Sequence, residues 1–329
     1  MKSLSAEDAQ TQKTAREALI FESGGHSGAS ASPEYGTEYA ADLAKGLTNA
    51  LQSRSIRTRL NAGVVATTVA GLVYHDGGSA AALQPVVEAL LKDKQAAIVL
   101  WGAKAAKYVI ASEIQNGANS APLAAALVKA VKEHGESGPV IEEAFNSLTL
   151  EGSSFEKLKG APQFQQGAVD VIPSILDLVA WRGEQYKGGG SVPSPLADRP
   201  VTVFLPVTAF STVNAKPATL NRALKVMGET TCSTVRSLAN GNSTPDLLDM
   251  VKADGNAFDT FGQQLSNADV QKAGKAIEEM SQNTDPTKMN KLCDDLAAAL
   301  KTVGVNIAND NGPGAGENPP TPALAGTTK

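Results

Sequence analysis

Leu83-Gln84-Pro85-Val86-Val87-Glu88-Ala89-Leu90-Leu91 and Ser120-Ala121-Pro122-Leu123-Ala124-Ala125-Ala126-Leu127-Val128 share one layout. In both, a proline near the start is followed by an apolar stripe at helical spacing. Proline fits there because the first-turn N–H groups of a helix have no intrahelical partner. The helices that accompany these segments also correspond. Arg59-Leu60-Asn61-Ala62-Gly63-Val64-Val65-Ala66 is echoed by Val99-Leu100-Trp101-Gly102-Ala103-Lys104-Ala105-Ala106, a period of about 40 residues. A weaker third copy is Val140-Ile141-Glu142-Glu143-Ala144-Phe145-Asn146-Ser147-Leu148.

This self-similarity resembles HEAT-like repeats, in which antiparallel helix pairs stack into an α-solenoid. The pairs are 35–52 with 55–74, 79–92 with 95–115, and 119–134 with 137–150. The resemblance covers residues 35–150 and implies a short all-α solenoid presenting a face to a protein or peptide. The Asp and Arg usual between helices in that family are mostly missing. An irregular helical bundle is the alternative architecture.

Outward from the repeats, residues 4–22 read as a helix with Ala15, Leu19 and Ala18 on one face, and Ser23 to Pro33 as a flexible Gly/Ser/Ala loop. Phe164 to Tyr186 reads as one helix, bent at Pro173. Lys187-Gly188-Gly189-Gly190-Ser191-Val192-Pro193-Ser194-Pro195 reads as a linker. Pro200-Val201-Thr202-Val203-Phe204-Leu205-Pro206-Val207 reads as an extended strap or edge strand, because prolines bound a β-branched and aromatic run. Helices resume at 218–240, 244–265, 268–282 and 286–303, two of them announced by Ser243/Thr244 with Pro245 and by Asp285 with Pro286. The expected organisation is an N-terminal helix and loop (1–34), HEAT-like repeats (35–186), linker and strap (187–217), a second helical region (218–308) and a disordered tail (309–329).

Composition narrows the function. Apolar residues make up 42% of the 329, enough for a sizeable core, and aromatics only 5%. Abundant alanine favours closely packed helices over a β-sandwich. A formal net charge of −5 argues against nucleic acid as a partner. The best basic cluster, Arg54, Arg57 and Arg59, reads as a solvated helix start. No run reaches the roughly 18–20 apolar residues a transmembrane helix needs. The start of the chain has no apolar leader, so a soluble, cytoplasmic protein is the default expectation. Cys232 and Cys293 read as buried free thiols, with one bridge between them possible in an oxidising compartment.

Candidate chemistry is sparse. Gly25-His26-Ser27-Gly28-Ala29 looks like a nucleophile elbow but lacks the preceding strand and following helix, and no histidine occurs beyond His134. His75 and His134 each end a helix, where the helix dipole favours imidazolium, and could share an edge of the solenoid. Asn309-Asp310-Asn311-Gly312 resembles the middle of a calcium loop but lacks the terminal carboxylates. Glu142/Glu143, Glu278/Glu279 and Asp294/Asp295 are adjacent in helices, so each pair diverges by about 100° and reads as solvated face. Trp101 and Trp181 read as core, Trp101 between repeats. No catalytic, cofactor-binding or metal-binding residue is therefore assigned, and no cofactor is expected. The expected function is a non-catalytic scaffold or adaptor binding a protein or peptide. The alternative is a small-molecule binder or unrecognised enzyme with a pocket between helices covered by residues 200–217.

Overall fold

The computed structural model describes residues 2–24, 32–151, 162–188, 191–211, 217–281 and 285–307. Among them the protein is all-α, with no strand. After a 3-10 turn at Lys2–Ser5, α1 spans Ala9–Ser23, α2 Pro33–Leu51, α3 Ile56–His75, α4 Gln84–Leu91, α5 Ala96–Gln115, α6 Ala121–Glu133 and α7 Gly138–Leu148. The remaining helices are α8 Pro162–Lys187, α9 Arg199–Ser211, α10 Pro217–Ala239, α11 Pro245–Gln264, α12 Ala268–Glu278 and α13 Pro286–Thr302.

Local chemistry starts these helices where the sequence announces them. Ser32 caps α2 by accepting from the Tyr35 N–H at 3.2 Å, with Pro33 next to it. Thr244 caps α11 the same way before Pro245, and Asp285 caps α13 before Pro286. A capping oxygen satisfies an N–H that the helix itself cannot pair.

Helices α2 to α7 form three pairs in two rows. Helices α3, α5 and α7 pack side by side, and α2, α4 and α6 form the second row. Polar contacts stitch both edges of the stack. On one edge the Ser79 N–H donates to Thr37 Oγ1, and the Ala80 N–H to Ser112 Oγ. On the other, Arg59 in α3 reaches Asp93 in the α4–α5 turn at 2.6 Å, and His134 contacts the Asp93 carbonyl oxygen at 3.1 Å. Arg59 is thus an Asp-paired strut between helix pairs, unlike the solvated side chain expected from the sequence.

Helix α8 joins the stack to the C-terminal helices, packing on α5, α6 and α7 as well as on α9 and α10. Pro173 lies inside α8 on its exposed side. The buried apolar side chains, from Leu4 to Val305, form one continuous cluster across both halves. On α1, Ala15 and Leu19 pack on that cluster as expected, but Ala18 is exposed and Ile20 takes its place.

The expected strap is not extended. The segment expected as an extended strap is helix α9 for all its described length. Its buried side chains, Val201, Thr202, Phe204, Leu205, Pro206 and Thr208, recur at helical spacing, and Val203 between them is 62% exposed. Burial of that stripe on α8, α10 and α11 overrides the intrinsic β preference of the run. Pro200 occupies the first turn, where it costs no hydrogen bond.

Candidate functional site

Two regions concentrate chemistry-bearing side chains, one on the stacked pairs and one among the C-terminal helices. In the first, α5 lays two aromatic side chains on α3. Trp101 meets Gly63, and the Tyr108 ring meets Gly71. The two glycines are two turns apart on α3, and the aromatics two turns apart on α5, so the helices run parallel in register. The Thr67 hydroxyl adds a bond to the Trp101 carbonyl oxygen at 2.8 Å. Trp101 therefore lies between the helix pairs, but its ring is only half-buried. The Lys104 ammonium sits 5.0 Å from its centroid, and Lys107 sits 5.9 Å from that of Tyr108. Such pairs gain from the ring quadrupole.

On the same row, α3 carries Leu60 and Val64, half-buried, and Leu72, exposed. On the other side α7 contributes Glu143. Desolvation holds its carboxyl above the ordinary range, with Lys104 and Lys107 opposing that shift. The α3–α5–α7 row thus grades from aliphatic to aromatic and basic to acidic. Glu142 beside it is exposed, as expected, whereas Glu143 is partly enclosed.

The second region centres on Arg182 of α8, which is fully buried. Its Nη1 donates to the Pro193 carbonyl oxygen and its Nη2 to that of Ser194, both at 2.9 Å, while Nη2 also reaches the Tyr186 hydroxyl at 3.2 Å. The Tyr186 hydroxyl in turn donates to the Pro195 carbonyl oxygen at 3.4 Å, so the described part of the expected linker is pinned to α8 through three of its carbonyls. Nearby are Asp198, just before α9, and Asp254 of α11, exposed by 3% and 5%. Burial pushes the Asp198 carboxyl up against the opposing pull of Arg182. Burial and the Asp198 charge push Asp254 well up, with Thr231 opposing. These carboxyls line a cavity of about 10 Å3, far below what an organic ligand needs.

Outside this cluster, α9 and α11 border an open groove of about 580 Å3, lined by Arg199, Val203, Asp249, Lys252, Asn256 and Glu278 among others. Thr202 lines both the groove and the buried cavity. Nothing in the sequence signals this cluster. Arg182, Asp198 and Asp254 have no motif spacing, and α8 reads as an ordinary apolar helix.

The sequence-derived candidates are not assembled into a catalytic set. His75 packs on the Tyr74 and Tyr108 rings near the end of α5, whereas His134 bonds to Asp93 just before α5 begins. At the helical rise those points are roughly 20 Å apart, on opposite edges of the stack, so the two histidines share no edge. Trp181 packs on Gly135 of the α6–α7 turn. Glu278 borders the groove, and Asp295 pairs with Lys291 on the α13 surface. Cys232 and Cys293 are both free and buried, and the fold brings them into contact. Among the described residues no three His, Cys, Asp or Glu side chains are placed to hold a metal ion. No helix there is long and apolar enough to cross a membrane. The elbow-like Gly25–Ala29, the calcium-like Asn309–Gly312 and the tail 309–329 lie outside the described residues. No family model matches the chain, and no curated protein matches it.

Proposed function

We propose that this chain is a non-catalytic helical-repeat scaffold, of the HEAT-like kind its sequence resembles, whose α3–α5–α7 row binds a segment of another protein. The observation that carries this reading is the aromatic seam. Trp101 and Tyr108 are partly exposed on the same helix row as Leu60, Val64 and Leu72 of α3, with Lys104 and Lys107 over the rings. Binding energy at interfaces concentrates in such partly sheltered Trp and Tyr side chains. An amphipathic segment would place apolar anchors on α3 and the rings, and its acidic side chains toward the two lysines.

The test is site-specific photocrosslinking in extracts of the source cells. A crosslinker at Leu60 or Leu72 should capture the same partner, and one at Ala125 or Lys129 on the other row should not. The Lys104→Glu/Lys107→Glu chain should lose that capture while keeping its helical spectrum and thermal midpoint. Capture confined to the α2–α4–α6 row, or unaffected by the charge reversal, would defeat the proposal.

The second reading is a small-molecule site in the α9–α11 groove, favoured by its volume and by the opposed charges of Arg199 and Lys252 against Asp249 and Glu278. It predicts that a ligand found by thermal-shift screening loses its effect in Lys252→Ala but not in Lys104→Glu.

A further inference from the structure

Cys232 on α10 and Cys293 on α13 are the only cysteines in the chain, and they meet in the buried interface between those helices. They are 1% and 0% exposed. The Cys293 thiol approaches the Cys232 carbonyl oxygen at 3.7 Å. The neighbouring Cys293 thiol and burial together hold the Cys232 thiol above its ordinary range. A separate feature of the same interface explains how the side chains come so near. One turn before Cys232, Gly228 leaves room for α13, and a methyl group there would lie 2.8 Å from Leu300 Cδ1. Two helices must approach closely before cysteines on them can span the short Cβ–Cβ distance of a disulfide. With no third cysteine, neither thiol has a competing partner.

We propose that Cys232 and Cys293 are a disulfide-forming pair that ties α10 to α13 and closes the α11–α12 hairpin into a covalent loop. The co-reactant is a low-molecular-weight disulfide. One cysteine loses its proton and its thiolate attacks that disulfide, forming a mixed disulfide and expelling one thiol. The second cysteine then attacks the protein sulfur of the mixed disulfide, the Sγ–Sγ bond forms, and the second thiol leaves. Two cysteine hydrogens are lost, and two electrons reduce the reagent to two thiols. Burial shields both sulfurs in the closed fold, so exchange proceeds as α10 and α13 form their interface or when it opens. The bridge restricts the unfolded chain across the segment that carries one wall of the α9–α11 groove, which raises the stability of that hairpin.

The full chain refolded from denaturant in oxidised glutathione tests this, with non-reduced intact mass, peptide mapping and thermal unfolding as readouts. The expected product is a monomer lighter by two hydrogen atoms, with Cys232 and Cys293 in one linked peptide and a Tm several degrees above that of the reduced chain. Reducing agent should return the Tm to the reduced value. Cys232→Ala and Cys293→Ala, each carrying one thiol, should show no rise in Tm with the oxidant. If the alanine variants fail to fold, the oxidised and reduced wild-type chains decide alone. Glutathione adducts or intermolecular dimers in place of the internal bridge would overturn the proposal. So would a bridged chain whose Tm is unchanged or lower.

Discussion

Gly63 of α3 stands so close to Trp101 of α5 that a methyl group on the glycine would lie 2.9 Å from the Trp101 Cβ and 3.2 Å from Leu90 Cδ2. The absent side chain is what lets the first two helix pairs touch. Gly63→Ala must push α5 away and is expected to cost about 1–3 kcal/mol. Trp101→Ala should cost roughly 3 kcal/mol through the lost packing of its buried half. Trp101→Ala keeps the Cβ that the new methyl group meets but removes the ring that holds α5 in place, so α5 can shift and the double variant should be less destabilised than the sum. Denaturant unfolding of the four chains checks this, and strict additivity would show that the contact does not govern the seam.

Helices α11 and α12 make a tighter contact of another kind. Methyl groups on Gly255, Gly262 or Gly274 would meet the backbone of the opposite helix rather than a side-chain end. Backbone cannot swing aside. Gly255→Ala and Gly274→Ala are each expected to cost about 3 kcal/mol, at or above the upper end for an added methyl group. Equilibrium unfolding would show it, and a neutral Gly274→Ala would mean the two helices separate freely.

The Arg59–Asp93 pair crosses from the first helix pair to the second, with side chains exposed by only 17% and 10%. Asp93→Ala leaves the enclosed guanidinium without its counter-charge and should cost about 2–3 kcal/mol. Asp93→Asn should cost less, since an amide oxygen can still accept from Arg59. Equal losses in the two variants would argue that only the charge matters.

Glu113 of α5 is buried, its Oε2 has no hydrogen-bond partner, and desolvation with the Glu88 charge pushes its carboxyl up to about 7. A carboxyl raised on folding stabilises the fold fully below its unfolded value, and that contribution fades as pH rises through the folded value. Wild-type stability should therefore fall between about pH 4.5 and 7. Glu113→Gln should flatten that slope and be the more stable chain at pH 8, by roughly 2 kcal/mol. Chemical denaturation at pH 5 and pH 8 measures both, and parallel curves would refute the assignment.

Asp254 is also buried, and burial with the Asp198 charge pushes its carboxyl well above the ordinary range. The same sign applies: its contribution is complete below the ordinary aspartate range and declines as pH rises from there. Asp254→Asn keeps the shape and removes the titration, so it should match wild type at acid pH and exceed it at alkaline pH. A large loss at every pH would instead show that the carboxyl is needed ionised.

Most helix positions were legible from local signals alone, because caps, prolines and apolar periodicity act within a few residues. Expected spans such as 95–115 and 286–303 fall within one residue of Ala96–Gln115 and Pro286–Thr302. Segment 200–207 was misread, because its β-branched run fits a strand locally and only burial against three other helices makes it α9. Composition and spacing likewise could not reveal that Arg59 would find Asp93, or that Asp198 and Asp254 would line one buried cavity beside Arg182. Nor could they bring Cys232 to Cys293, or carry His75 and His134 to opposite edges. Those pairings join residues far apart in the chain, and their energy exists only once the helices have closed around them and excluded water. The sequence by itself determined where helices begin, end and turn an apolar face inward; the tertiary structure decided which faces meet, and therefore which charges, thiols and aromatic rings become neighbours.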